Sequence, residues 1–489
     1  MSNRQYITFM DFSGGLNDTA APDNLEDNEL VVADNIDLSE RGGFSLRKGY
    51  TKLYTTSFGA YPISRIFEWN NDIYFTINTS LYKNDILVTS TLATADIGYI
   101  AYQGKLYIVD GSKYYQYDGT TFAEVTPDPD ATNTNFEAVK RCKYLALLGN
   151  RLFAAGDSQN PNLLYFSELG KPNFWKGTSV INVSSNDNDV ITGLTVFAGA
   201  LLVFKKNSIW AWFGTDPNVD VKFVKIPAHT GALNIQTVVD ANNTLIYFGR
   251  DGLYALSSLN KDYINSELIS VKVTNLIKSI VKPEKAVAVF DGRRYLLAYC
   301  DDATLNYNNK VLVFDTVLGA FTRYTNIYIN TFCRKLDGTL LFGSAKNDGY
   351  IYKFDDVYND DGNVINMRVV TKPYALSDNA FTINKLKRFY LSIKQDIAEN
   401  KLNIKLKFDY MEKSSLVTSS VDLNEAFIWG VSNWGNLWGW SDLVAKEWLI
   451  SSKARRVQVE FTKNYIDQPL TVYGIGFAFI PKRPKGVKI

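Results

Sequence analysis

The chain has 489 residues, more than a single hydrophobic core normally serves, so two or more domains are expected. It is 46% hydrophobic and 14% aromatic, with 30 Tyr and 29 Phe, a β-rich composition with ample apolar mass for a sizeable core. Lys and Arg number 52 against 51 Asp and Glu; a net charge of +1 lacks the basic excess of a protein that grips many phosphates, although a charged patch within a neutral total stays open. A pI near 7.5 also gives copies little mutual repulsion, which fits a subunit of an assembly. Cys142, Cys300 and Cys333 are odd in number and far apart in apolar strand context, so buried free thiols are expected rather than a disulfide framework. The N-terminus has no basic-then-apolar signal pattern and no run of about 18 apolar residues occurs, so a soluble, cytosolically made protein is expected.

Residues 1–50 form an N-terminal arm. Asp23 and Asn24 are placed to cap a short helix over residues 25–33, with Leu25, Glu29 and Val32 or Ala33 on one face and acidic residues in the first turn. Arg41-Gly42-Gly43 then turns into a strand at 44–47.

From residue 63 to residue 354 one unit recurs: short aromatic strands separated by Asp-Gly or Gly-Asn turns. Gly104 to Gly111 runs into Tyr114 to Gly119. Thr244 to Phe248 and Thr339 to Gly343 open similar hairpins. Alternating β-branched and aromatic positions bounded by such turns read as hairpins. Hairpins repeating at roughly 40–45 residues mark a β-propeller, because one small sheet cannot bury its faces alone. About seven blades are expected, within a range of six to eight, over residues 51–358. Two interruptions stand out. Residues 127–135, with Pro127 and Pro129, form a loop. Residues 266–281 predict a helix, since Ile269, Val273, Leu276 and Ile280 recur at helical spacing before Pro283. After a turn-rich break at 358–363 the strands lengthen, and residues 359–480 predict a β-sandwich. Residues 481–489 form a basic tail without structural pattern. The fold class is all-β throughout.

Histidine is the usual general base and metal ligand near neutral pH, and this chain has only His229, in a turn-like Pro227-Ala228-His229-Thr230-Gly231. A histidine metal cluster is therefore impossible, and no G-x-S-x-G elbow accompanies a triad. Paired carboxylates can hydrolyse glycosides without histidine. Asp110, Asp118, Asp251, Asp291 and Asp337 are the candidates, yet each precedes a glycine and has the place of a hairpin-turn residue. Residues 184–189 and the run from Asp355 and Asp356 to Asp360 and Asp361 offer oxygens for calcium, but neither fits the EF-hand register. Gly14-Gly15 and Gly42-Gly43 open no phosphate-binding loop. No catalytic residue, metal or cofactor is assigned.

Trp429, Trp434, Trp438, Trp440 and Trp448, interleaved with Gly430, Gly435 and Gly439, are the densest chemistry in the chain. Exposed indoles bind sugars or bases; buried ones pin a loop onto its own domain or a neighbouring subunit. Packing or subunit contact is the favoured reading. In the tail, Lys482, Arg483, Lys485 and Lys488 are either a solvated end or a segment that docks on an acidic neighbour.

The arm carries Phe12-Ser13-Gly14-Gly15-Leu16-Asn17, then Asn35-Ile36-Asp37, Arg41-Gly42-Gly43 and Arg47-Lys48-Gly49-Tyr50. This resembles the opening of bacteriophage tail propeller proteins, a "GGLN" start and an "N-x-D … GG … R-x-G" entry into the first blade. The tryptophan-glycine run with Arg455-Arg456-Val457-Gln458-Val459 is similar to their closing domain. In length and layout the chain resembles the tail nozzle or hub of short-tailed phages. Lys48 stands where proline or arginine is commoner. The resemblance implies a structural virion protein, made in the host cytoplasm, that forms a homohexameric ring below a head–tail adaptor. It also implies contacts with fibre or spike proteins, passage of DNA through the lumen, no membrane insertion and no catalytic residues. A carbohydrate-active propeller, either a glycosidase or a receptor-binding lectin, is the competing expectation from the Asp turns and the tryptophans.

Overall fold

The structure is a computed structural model and describes residues 4–183, 189–214, 216–219, 223–260, 263–377, 379, 381–394, 401–409, 411–422 and 443–482. The protein is all-β, with a short helical turn near the N-terminus, several four-stranded antiparallel sheets and two larger sheets. Seven four-strand runs follow one another along the chain. Their first strands are Ile63–Trp69, Gly98–Tyr102, Tyr144–Leu148, Ile191–Phe197, Val239–Asp240, Val287–Phe290 and Ile329–Arg334. The first six runs add their strands in sequence order, as the hairpin turns require, and the seventh does so for its first three. The first hairpin of each of the first five runs closes on two residues with positive φ: Asn70-Asn71, Gln103-Gly104, Gly149-Asn150, Ala198-Gly199 and Asn242-Asn243. That is the turn whose twist matches the twist of the flanking strands, and asparagine and glycine tolerate it best.

The energetic reason for the repetition lies in the cores. Phe67, Tyr74, Ile108 and Tyr117 bury together between the first and second runs. Val109, Tyr114, Leu152 and Trp175 do so between the second and third, and Phe153, Phe166, Leu201 and Trp212 between the third and fourth. Phe204 and Tyr247 join the fourth to the fifth, Val313 and Phe342 the sixth to the seventh, and Ile63 and Leu341 the seventh to the first. Each of these sheets therefore buries apolar surface against its neighbours, and removing one would expose apolar surface on two others. The first strand of the seventh run packs against the first strand of the first. Hairpin tips are tied as well: Gln103 Nε2 donates to Gly170 O (3.1 Å), and the Leu336 backbone N–H donates to Glu68 Oε2 (2.6 Å).

Both chain ends meet in the remaining sheets. Tyr50–Lys52 supplies the fourth strand of the seventh run, antiparallel to Ile351–Phe354. Gln5–Phe9 and Phe44–Leu46 both pair with Thr471–Pro481, which also pairs along Asn384–Lys394. Glu29–Asp34 bridges the sixth run, at Ala320–Thr325, to Met367–Thr371 and so to Arg456–Lys463 and Lys401–Phe408. Phe44, Phe389, Phe461 and Phe477 share one buried core with Phe248 and Phe290 of the fifth and sixth runs.

Three expectations need correction. Residues 25–33 are not a helix: helical turn is confined to Pro22–Asn24, and Glu29–Asp34 is a strand. Sheet pairing on both sides outweighs the weak helical pattern of residues 25–33, and a bulge between Leu30 and Val32 absorbs its irregular periodicity. The helix over 266–281 is shorter, since Tyr263–Leu268 is strand and helix runs only through Val271–Val273 and Thr274–Lys278. The final strand extends through Pro481, opposite Asn384, so the basic tail begins later than residue 481. Among the described residues no helix is long and apolar enough to cross a membrane.

Candidate functional site

The aspartates that precede glycines are turn acceptors. Asp110 Oδ1 accepts from the Ser112 and Lys113 backbone N–H groups (3.0 and 2.7 Å), and Asp118 Oδ1 from those of Thr120 and Thr121 (2.9 and 2.7 Å). Asp291 repeats this with Arg293 and Arg294, and Asp337 accepts from Thr339. Asp251 instead accepts from the Tyr254 hydroxyl (2.8 Å). His229 is exposed in its loop. Cys142, Cys300 and Cys333 are buried, and burial pushes the Cys333 thiol up to about 12.

The acidic run at 355–361 is partnered residue by residue. Asp355 pairs with Lys353 (3.1 Å), Asp356 with Lys48, Asp360 with Arg47 (2.6 Å) and Asp361 with Lys52 (3.1 Å). Asp189 accepts from the Lys206 and Asn207 backbone N–H groups. Among the described residues no three His, Cys, Asp or Glu side chains converge as a metal site. Trp429, Trp434, Trp438 and Trp440 lie outside the described residues, as do Arg483, Lys485 and Lys488. Trp448 is half-buried and stacks on Phe389 (5.5 Å between centroids). The Lys482 backbone N–H donates to Ile383 O (2.9 Å).

Asn35, Asp37, Arg47 and Gly49 of the arm motifs converge on a junction between the sixth run, the seventh run and residues 359–366. Arg47, 1% exposed, donates from Nε to Asn35 Oδ1 (2.9 Å) and forks onto Asp360 through Nη1 and Nη2 (2.9 and 2.6 Å). Burial pushes the Asp360 carboxyl up and the Arg47 guanidinium pulls it back. Asn35, at φ 58°, donates to Thr325 Oγ1 (2.8 Å) and to Asn366 O (2.7 Å). Asp37 accepts from Arg294 Nη1 (2.6 Å) and from the Tyr324 hydroxyl. A Cβ on Gly49 would lie 1.7 Å from Asn359 O, so only glycine lets the strand enter here. A cavity of about 550 Å³ opens beside Asp37, Arg294 and Lys353. Its charges satisfy one another: Arg293 holds Asp315 and Glu40 (both 2.7 Å), and Arg294 holds Asp291 (2.8 Å) as well as Asp37.

On the other side of this junction a second cleft, of about 440 Å³, is lined differently. Tyr50, Tyr352 and Phe342 come from the seventh run, and Tyr328 and Asn326 from the link that leads into it. Asp361, Asn363 and Asn366 come from the chain leading to the C-terminal strands, and Lys346 and Asp348 from a hairpin tip. Phe342 and Tyr352 stack at 5.2 Å, with Tyr50 edge-on to both at 5.0 and 5.1 Å. Lys346 Nζ sits 3.6 Å from the centroid of the Tyr328 ring. Asp348 and Asp361 line the cleft with Tyr352; burial pushes the Tyr352 phenol up, and the two carboxylates push it further. Burial, then Asp360, raises Tyr50 in the same way. Both phenols stay protonated at neutral pH. Among the described residues, the hydroxyls of Tyr50, Tyr328 and Tyr352 and the side-chain amides of Asn326 and Asn366 have no hydrogen-bond partner. Sequence reasoning missed this cleft. Its residues span 317 positions from Tyr50 to Asn366, and only the Arg47-Lys48-Gly49-Tyr50 motif pointed toward it.

No family model matches the chain. No curated protein matches it either. Among solved structures, it is similar to the extracellular domain of a hybrid two-component system from B. thetaiotaomicron, with a TM-score of 0.44 and 11% identity. That match covers 70% of this chain and 42% of the other, so the chain spans less than half of that protein. It is similar to the Neurospora crassa Pan2 WD40 domain at a TM-score of 0.41 and 9% identity, covering 63% and 96% of the two chains. An exo-beta-1,3-galactanase from Phanerochaete chrysosporium matches at 0.24 and 10%, covering 78% and 95%. At these scores the likenesses carry no argument about function.

Proposed function

We propose that the chain is a structural subunit of a short-tailed phage tail, in which the seven four-strand runs close as a β-propeller and both chain ends build an adjoining β-sandwich. Six copies form a ring that continues the DNA-ejection channel below the head–tail adaptor and carries fibre or spike proteins. The observation that carries this reading is the tying of both ends into one body. Residues 50–52 complete the seventh run, while five strands from residues 5–46 join sheets made by residues 367–481. Pulling on either terminus must then break sheet ladders and buried cores together, as a pressurised conduit requires. The sequence resemblance of the arm supports it, and Asn35, Arg47 and Gly49 of its motifs help form the Arg47–Asp360 junction. A net charge of +1 suits a lumen that lets DNA pass without many phosphate clamps. Four of the five aspartates that are candidates for glycoside hydrolysis serve as turn acceptors, which favours a scaffold over a hydrolase.

Light scattering and negative-stain microscopy of the purified protein, alone and with the adaptor, are expected to find a closed ring. A particle that stays monomeric and never joins tails overturns the reading. Trp429, Trp434, Trp438, Trp440 and Trp448 are the proposed interface residues. A receptor-binding lectin of the tail is the second reading, and the tyrosine-lined cleft is the observation that favours it.

A further inference from the structure

We infer that the cleft between the seventh run and residues 361–366 is a binding site for a neutral saccharide. The argument starts from its unpaired groups. Tyr50, Tyr328 and Tyr352, with the exposed Asn326 and Asn366, line one space, and their hydroxyls and side-chain amides are not spent on protein partners, which leaves them open to a ligand or to solvent. A polyhydroxylated ligand matches many separate donors and acceptors, and its C–H faces lie well against tyrosine rings. The volume, about 440 Å³, falls within the roughly 300–1,000 Å³ of small-molecule sites.

Charge selects among ligands. Asp348 and Asp361 line the cleft with Tyr352 and disfavour phosphate or carboxylate there, so nucleic acid and acidic glycans fit poorly. Asp361 is paired with Lys52, and Lys346 lies over the Tyr328 ring, which leaves no strong excess of either sign to call for an ion. A neutral sugar chain is the class that fits. The cleft also has a fixed frame: Asp360 beneath it is locked to Arg47, and Asn35 holds the Asn366 carbonyl. Its shape therefore forms before a ligand arrives, which lowers the ordering cost of binding.

This inference rests on the lectin reading and not on the ring. The full chain is applied to an array of neutral and acidic oligosaccharides, and hits are measured by saturation-transfer NMR. The variant Asn326→Gly/Tyr328→Phe/Asn366→Ala removes three unpaired groups and keeps the positive φ at residue 326. The expected result is binding of a neutral oligosaccharide with Kd below about 1 mM, weakened at least tenfold in the variant while its melting temperature is unchanged. Three outcomes overturn it: no neutral glycan bound, binding unaffected by the variant, or preferential binding of an acidic glycan or single-stranded oligonucleotide. A protein that forms rings but fails here loses only this inference. One that binds glycan but stays monomeric loses only the ring.

Discussion

Asp157 shows how much one side chain contributes when every lone pair is used. It accepts from Arg141 Nε and Nη2 (2.8 and 3.0 Å), the Gln159 backbone N–H (3.1 Å), the Asn160 amide (3.1 Å) and the Tyr165 hydroxyl (3.0 Å). Burial alone would raise this carboxyl, but those partners outweigh it and hold it at about 2, below its ordinary 3.8. A depressed acid adds stability above the unfolded value and loses it as the pH falls through the folded one. The contribution is roughly 2 kcal/mol at neutral pH, from about 1.4 kcal/mol per pH unit of depression. Asp157→Asn is expected to lose about that much in urea denaturation at pH 7, with the gap to the parent closing from about pH 4 down to pH 2. A gap that does not change with pH contradicts the assignment. Asp110, Asp118, Asp291 and Asp337 were legible as turn residues from the glycine that follows each. Asp157 was not, because Arg141 and Tyr165 reach it from separate strands or loops.

At the scale of elements, the Arg47–Asp360 pair fixes how the arm enters the seventh run. Both side chains are buried, and Asn35 takes the remaining Arg47 donor that faces it. Truncating one partner leaves an uncompensated buried charge, whereas replacing both by apolar groups often restores stability. Arg47→Met is expected to cost about 3–5 kcal/mol in chemical denaturation, and Arg47→Met/Asp360→Leu to recover most of it. A double variant as unstable as the single one would show that the lock is not electrostatic. The same junction explains why residues 25–33 misled sequence reasoning. Leu25, Glu29 and Ala33 have helical spacing, but a segment of nine residues has little intrinsic helicity. Edges at Ala320–Thr325 and Met367–Thr371 are waiting to pair with it, and neither is near it in sequence.

At the scale of the whole molecule, the ends of the chain decide which truncations are harmless. Pro481 pairs with Asn384 and the Lys482 backbone N–H reaches Ile383, so a cut before Pro481 removes sheet. Deleting residues 483–489 instead is expected to leave the melting temperature and the affinity for duplex DNA at physiological salt unchanged. A gel shift in which the full chain binds DNA below micromolar concentration, and the truncation does not, would assign the tail a phosphate-binding role. The neutral total argues against that role, since each phosphate neutralised steepens salt dependence and slows transit.

The repeating strands, their turns and the all-β class were determined by the sequence alone, because strand alternation and hairpin chemistry are local. Gly149-Asn150 and the Asp-Gly pairs declare themselves within a few residues, whereas Asn70-Asn71 and Gln103-Gly104 emerged as turns only in the structure. The motif Asn35, Arg47 and Gly49 was visible as well, but its purpose was not. Only tertiary structure decided that Arg47 meets Asp360, that residues 5–46 join strands from residues 367–481, and that Tyr50, Tyr328 and Asn366 share one cleft. The physical reason is sequence separation: those contacts join segments hundreds of residues apart. They form only where buried cores and sheet edges offset the entropy of bringing such segments together.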